Sequence, residues 1–467
     1  MNMLRGFFFI SILAVVVIGG SALAQAKAHA DLQSSQAEFK LGLSYWTKGN
    51  FDKAAFWYGK AAVQGYALAE YNLGLLYDHG QGVPQDYAKA VFWYSKAAAQ
   101  GNARAEYNLG VLYDHRRGVP QDYAKAVFWY GKAAVQGYAP AEYNLGVLYY
   151  HGLGVLQDYA KAAYWYGKAA VQGNAIAEYN LGLLYYQGQG MQQDYVKAAY
   201  WYGKAAAQGN ARAEYNLGVF YYHGQGVPQD YAKAVFWYGK AAAQGYARAE
   251  YNLGVDYDHG QGVLQDYAKA AFWYRKAAVQ GDANAEYNLG VDYDLGQGVS
   301  QDYVKAAFWF GKAAAQGNAI AEYNLGLLYY QGQGMSQDYA KAAFWFGKAA
   351  VQGYARAENS LGVLYYYGQG MPQNYAKAVY WYGKAAAQGV AQADFNLGSL
   401  YGQGRGVPQD YIEALKWFML AKATTHKKSL IQLINPIIVK LERLMTLTQI
   451  ARAQSEALTL FQLHKKQ

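Results

Sequence analysis

Residues 69–104 read AEYNLGLLYDHGQGVPQDYAKAVFWYSKAAAQGNAR, and the same text returns 36 residues later. Ala-Glu-Tyr-Asn-Leu-Gly recurs at positions 69, 105, 141, 177, 213, 249, 285 and 321, with altered versions from Ala357 and Ala393. Tryptophan gives an independent ruler. Eleven of the twelve, from Trp57 to Trp417, lie on one 36-residue grid, and only Trp46 is off it. A shorter first copy runs from Ala37, because Leu41-Gly42 precedes Leu73-Gly74 by 32 residues, which makes eleven copies. Self-similarity at this period marks an array in which each unit buries its apolar face only against its neighbours.

One copy reads as two helices. Ala69, Leu73, Leu76 and Tyr77 fall at i, i+4, i+7 and i+8 and share one helical face. Gly74 inside that helix costs about 1 kcal/mol of helix propensity, so its return in every copy points to a close approach by the next helix. His79-Gly80-Gln81-Gly82-Val83 breaks the helix, with glycines able to take positive φ. Pro84 then suits the first turn of a second helix, and five of the seven prolines occupy this slot. Asp86 places negative charge at that helix N-terminus. Ala90, Trp93, Tyr94, Ala97 and Ala98 form its apolar stripe, and Gly101 ends it. Stacked copies of this pair predict an all-α, right-handed α-solenoid superhelix.

The pattern A-x-A-x-x-x-L-G-x-x-Y followed by G-x-G-V-x-x-D-x-x-K-A-x-x-W-Y-x-x-A-A-x-x-G resembles the Sel1-like repeat, a relative of the tetratricopeptide repeat. Residues Ala67 to Gly101 fill its slots, and the resemblance spans roughly Ala37 to Lys428. It implies an adaptor that holds other proteins. Exported bacterial members of the family are linked to cell-envelope processes and host-cell contact. Some secreted members carry a Cys pair per repeat and are associated with β-lactam binding or hydrolysis. This chain has no Cys, so that behaviour is not carried over. It departs from the pattern again at Arg116-Arg117 in the third copy, at Asn359-Ser360 in the tenth and at Glu413 in the last.

The ends of the 467-residue chain differ from its middle. Met1–Arg5 carries one positive charge, Gly6–Gly20 is apolar, and Ser21-Ala22-Leu23-Ala24 supplies small residues for cleavage after Ala24, with Ala26 as a second site. The expected organisation is a signal peptide over 1–24, a short linker over 25–36, the array over 37–428 and capping helices over 429–467. Asn435-Pro436 reads as a helix start and Thr446-Leu447-Thr448-Gln449 as a capping box. In the last helix, Ile450, Ala453, Leu458 and Phe461 are available to cover the final repeat. The expected address is the periplasm or the exterior of a bacterium.

Composition narrows the function. Without Cys there is no disulfide scaffold, thiol catalysis or Cys-type zinc site. From Lys422 onward eight basic residues face two acids, which supplies most of the net charge of +9 and leaves the array near neutral. That argues against a nucleic-acid partner, which would need a basic stripe. The basic tail suggests at most a weak contact with an anionic membrane surface. No H-E-x-x-H, phosphate-loop, G-x-S-x-G or S-x-x-K motif occurs, so no catalytic residue, cofactor or metal is assigned. Five histidines share one slot (His79, His115, His151, His223 and His259), too widely spaced to cage one ion.

Positions that change between copies are the candidates for partner contact. Asp256 and Asp292 replace the Leu76-type residue, and Asp258 and Asp294 add acid two residues on. This predicts four carboxylates together, either in a partly open slot or facing a cation or basic side chain. A second variable slot precedes each first helix and carries Arg104, Arg212, Arg248 and Arg356. By analogy with tetratricopeptide arrays this slot borders a concave groove, where Arg grips carboxylates. The leading expectation is therefore a non-enzymatic, exported interaction scaffold for a protein or peptide. The alternative is a binder of glycan or peptidoglycan fragments through exposed tyrosines, with a β-lactam or envelope hydrolase a distant third.

Overall fold

The computed structural model describes residue 27 and residues 29–464. The expected signal peptide and the last three residues lie outside them. The described residues contain no strand, and they fall into two compact units divided after Asp230.

The first unit holds α1 (29–47), α2 (Phe51–Val63), α3 (Ala67–His79), α4 (Tyr87–Ala99), α5 (Ala103–Asp114), α6 (Tyr123–Val135), α7 (Ala139–His151), α8 (Tyr159–Val171), α9 (Ala175–Gln187), α10 (Tyr195–Ala207) and α11 (Ala211–His223). The second holds α12 (Tyr231–Ala243), α13 (Ala247–His259), α14 (Tyr267–Val279), α15 (Ala283–Leu295), α16 (Tyr303–Ala315), α17 (Ala319–Gln331), α18 (Tyr339–Val351), α19 (Ala355–Tyr367), α20 (Tyr375–Ala387), α21 (Ala391–Gln403), α22 (Tyr411–Thr424), α23 (Lys428–Glu442) and α24 (Leu447–His464). Within each unit each repeat helix packs on the next, which is the α-solenoid order, while α23 and α24 both pack on α22.

One repeat shows why the sequence folds this way. In α3, Ala69, Leu73 and Leu76 are buried, and Gly74 lies against the ring of Tyr94 on α4. The close approach predicted at Gly74 is thus made by an aromatic ring rather than by helix backbone: a Cβ there would stand 2.7 Å from Tyr94 Cδ1. Gly80 ends α3 at φ 65°, and Gly82, at φ 68°, leaves no room for a side chain because a Cβ would meet the Phe51 carbonyl of α2. Gln85 Nε2 donates to the Asp78 carbonyl at 2.7 Å and closes the loop. Pro84 is not in the first helical turn, as the sequence suggested. It lies in the loop, and Asp86 is the N-cap of α4, accepting from the Lys89 amide at 3.0 Å. The loop is longer than proline placement alone implied, because Gln85 and Asp86 are needed to staple and cap it.

A buried acid ties the two helices together. Glu70 is 3% exposed and accepts from Gln100 Nε2 at 2.8 Å. Burial raises its pKa, while Lys96 and Gln100 pull it back. The same latch recurs at Glu106–Gln136 in the first unit and Glu358–Gln388 in the second.

The termini correct the sequence reading in three places. Residues 29–36, expected as a linker, are helical, and Phe39 of α1 packs on Tyr58 and Tyr66 at 5.6 and 5.2 Å. Pro436 lies inside α23 rather than at a helix start, because Leu430, Ile434, Ile438 and Leu441 form one buried stripe that holds the helix on both sides of it. Leu458 is exposed, and Ala457 takes the buried place beside Ala453. The capping box at α24 is present. The Thr446 amide donates to Gln449 Oε1 at 2.9 Å, and the Gln449 amide to Thr446 Oγ1 at 3.3 Å. Lys416 of α22 is buried between Glu413, at 2.6 Å, and Glu456 of α24, at 3.6 Å.

Two helix glycines of the first unit should respond oppositely to alanine. At Gly146 a Cβ would lie 2.7 Å from Tyr166, so Gly146→Ala should destabilise by about 1–3 kcal/mol. At Gly131 nothing lies within 4 Å, so Gly131→Ala should stabilise by about 0.5–1 kcal/mol through helix propensity. Urea unfolding of the two variants beside the parent chain checks the sign of each.

Candidate functional site

Two of the four acidic positions, Asp256 and Asp292, lie inside the second unit, while Asp258 and Asp294 are half-buried. Asp256 on α13 is 2% exposed and Asp292 on α15 is 5% exposed, each where other copies bury leucine or phenylalanine. Oδ2 of both accepts no hydrogen bond, and the hydroxyl of Tyr274 on α14 is likewise unpaired. Neither acid lies in an open slot, and no basic side chain pairs with either Oδ2. Burial pushes each carboxyl up to about 7, so that each is about half protonated at neutral pH and largely protonated below it. His259 offsets this slightly for Asp256, and the charge of Asp258 adds to it for Asp292. Asp258 lies 3.8 Å from His259, and Asp294 is raised by burial. No group of His, Asp and Glu among the described residues is arranged to hold a metal ion.

Arg104, Arg212, Arg248 and Arg356 are all exposed in the first turns of α5, α11, α13 and α19. Arg104 lies near the half-buried Tyr71, and Arg356 near Tyr287 and Tyr323. These tyrosines are held by the asparagine or serine of the following copy, such as Asn108 beside Tyr71. The structure therefore leaves the arginines exposed on the first-helix side in the four copies that carry them.

The second helices carry a surface that the sequence reading missed. Phe56, Phe92, Phe128, Tyr164 and Tyr200 in the first unit, and Phe236, Phe272, Phe308, Phe344 and Tyr380 in the second, are between 51% and 59% exposed. Each stands edge-on to the following Trp, as Phe92 does to Trp93 at 4.9 Å. A lysine four residues on from the exposed ring covers it, as Lys96 Nζ does 5.0 Å from Phe92 and 5.2 Å from Trp93. The signal was present in the sequence: three successive aromatics on a helix, about 100° apart, cannot all face one core.

Beside these aromatics lie open slots. Phe128, Gly131, Lys132, Tyr149 and Trp165 line a cavity of about 510 Å³. Phe344, Gly347, Lys348, Tyr365 and Trp381 line its counterpart of about 720 Å³. A Cβ on Gly131 or Gly347 would meet nothing, so neither packing nor backbone conformation within the chain requires glycine there. In copy seven this position is Arg275. Its Nη2 donates to the Tyr293 hydroxyl at 2.9 Å, and Tyr293 is buried where Tyr149 and Tyr365 are only half-buried. The chain thus closes one slot with its own guanidinium side chain.

Comparison with known proteins completes the picture. The Sel1 repeat model matches eleven times, without a gap, from residue 35 to residue 422. The chain belongs to the Sel1 repeat family. Among solved structures, a protective antigen present in uropathogenic Escherichia coli strains, which displays an SLR fold, shares 37% identity over 95% of this chain and 94% of its own, with a TM-score of 0.83. A Sel1 repeat protein from Oxalobacter formigenes shares 35% identity over 66% of this chain and 89% of its own, with a TM-score of 0.53. No curated protein matches. Sel1 repeats generally mediate protein–protein interaction, and scaffolds built from them are typically non-catalytic. No helix among the described residues is long and apolar enough to cross a membrane.

The buried acids of this Sel1 array make its stability depend on pH. A carboxyl whose folded pKa is raised from 3.8 to about 7 favours folding fully below pH 4 and loses that contribution as pH rises through 7. By pH 8 the loss, relative to acid pH, is on the order of 4 kcal/mol for each. Asp256→Leu combined with Asp292→Leu should raise the unfolding midpoint at pH 8 and flatten its fall between pH 4.5 and 8. Thermal unfolding across that range reads both effects.

Proposed function

We propose that this chain is an exported, non-catalytic scaffold that docks a protein partner on the exposed face of its second helices. The observation that carries this reading is the row of exposed Phe/Tyr–Trp–Lys groups framing open glycine-floored slots. Aromatic anchors beside unfilled pockets are the usual hot spots of protein interfaces. A helix glycine that costs stability without relieving any clash is explained when a partner side chain enters its slot. Arg275 indicates the kind of side chain accepted: an aliphatic stem against the aromatic walls and a donor to the tyrosine hydroxyl. The exposed Arg104, Arg212, Arg248 and Arg356 on the first-helix side offer a second contact for an acidic segment of the same partner.

Export to the periplasm or beyond rests on the signal-like text of residues 1–24. A relative that is a protective antigen fits a role in the cell envelope or in host contact. Filling two slots as the chain itself fills one tests the docking face. Gly131→Arg with Gly347→Arg should weaken capture of the partner from envelope extract by roughly tenfold or more. Circular dichroism should stay unchanged, and Arg275→Gly should retain capture or improve it. Undiminished capture by the double variant would show that the partner binds elsewhere.

A further inference from the structure

The last two copies enclose a pocket unlike any of the slots above. It lies on the first-helix side, between α19 and α21, and has a volume of about 380 Å³. The last copy carries two truncations of its own, of which Ser399 lines the pocket. Ser399 occupies the position of Val255, Val291 and Val363, and Gly402 that of Asp258, Asp294 and Tyr366. The lining carries no formal charge, because Gln392 replaces the arginine of Arg248 and Arg356, and Gln403 replaces the histidine of His259.

The polar groups are rewired towards this space. In earlier copies the tyrosine and asparagine of the first helix are engaged with each other, as Tyr71 is with Asn108. Here Asn359 stands where the tyrosine would be. Asn396 Nδ2 donates to Asn359 Oδ1 at 3.2 Å, and Gln392 Nε2 donates to Asn396 Oδ1 at 3.3 Å. Tyr382 forms a buried wall, 2% exposed. Tyr367, 64% exposed, presents a ring at the mouth, edge-on to Tyr366 at 4.8 Å. The Tyr366 hydroxyl is engaged from outside the pocket by Arg405 Nη1 at 3.1 Å.

We propose that this pocket binds a neutral saccharide. Amide and hydroxyl side chains both donate and accept, which matches a ligand whose own hydroxyls do both. An exposed aromatic ring suits the C–H face of a pyranose, and the volume is that of a small-molecule site. A running peptide is disfavoured because it would need the same polar set repeated in neighbouring copies, whereas this set is confined to copies ten and eleven. The inference is independent of the protein-docking face on the second helices.

Saturation-transfer NMR on the full chain tests it with cellobiose, lactose and N,N′-diacetylchitobiose as saccharide probes and tetra-alanine as a peptide probe. At least one disaccharide should show saturable binding. That binding should weaken roughly tenfold or more in Ser399→Val, which restores the residue of other copies, and in Tyr367→Ala on the exposed rim. Absence of saturable binding by all three sugars overturns the proposal. So does sugar binding that survives both variants, or saturable binding of tetra-alanine alone.

Discussion

The fold depends on one contact made once per copy: a glycine in the first helix pressed against an aromatic ring of the second. At Gly42, Gly74, Gly146 and Gly362 an added Cβ would sit within 2.5–2.7 Å of the facing tyrosine ring. The contact sets how closely the two helices pack, and so where every other group falls. The Glu–Gln latch, the loop glycines under the previous second helix and the Asp N-cap all follow at fixed offsets. Alanine fills the remaining positions because interiors tolerate neither voids nor overlap at this spacing.

Once inner positions are committed to that contact, outer ones are free to differ. This separates the two kinds of helix glycine that the sequence presents alike. Gly146 is needed for packing, whereas Gly131 and Gly347 open a surface slot. It also explains Arg275, which replaces a surface glycine without disturbing the core and turns to Tyr293. The same reasoning isolates the last two copies. Changes there at Asn359 and Ser399 leave the buried Leu361 and Leu397 in place while altering the polar groups at the pocket.

Much of this was legible in the sequence because period, glycine placement and helix caps are local signals. The two-helix copy, the αL glycines at the loop, the Asp86 cap and the Thr446–Gln449 box all follow from residue type and spacing. The candidate site was less legible, since accessibility depends on which copy-to-copy neighbours cover a residue. Asp256 and Asp292 implied a partly open slot or a cationic partner, yet the leucine position they occupy is fully enclosed. Phe92 was given no role in the sequence reading, although its helical phase turns it to solvent. Pro84 and Pro436 misled for a related reason: a proline fixes its own φ but does not say on which side of it the helix lies.

The central claim is that partners dock on the second-helix face through its aromatic-framed slots. Site-specific photo-cross-linking within envelope extract tests it most directly, with the cross-linker at Val135 or Val351 on the slot rims and, separately, at Arg104 or Arg356 on the first-helix side. The account predicts a discrete protein adduct from Val135 and Val351, lost when Gly131 and Gly347 are replaced by arginine. Adducts formed only from Arg104 and Arg356, with none from the slot rims, would contradict it.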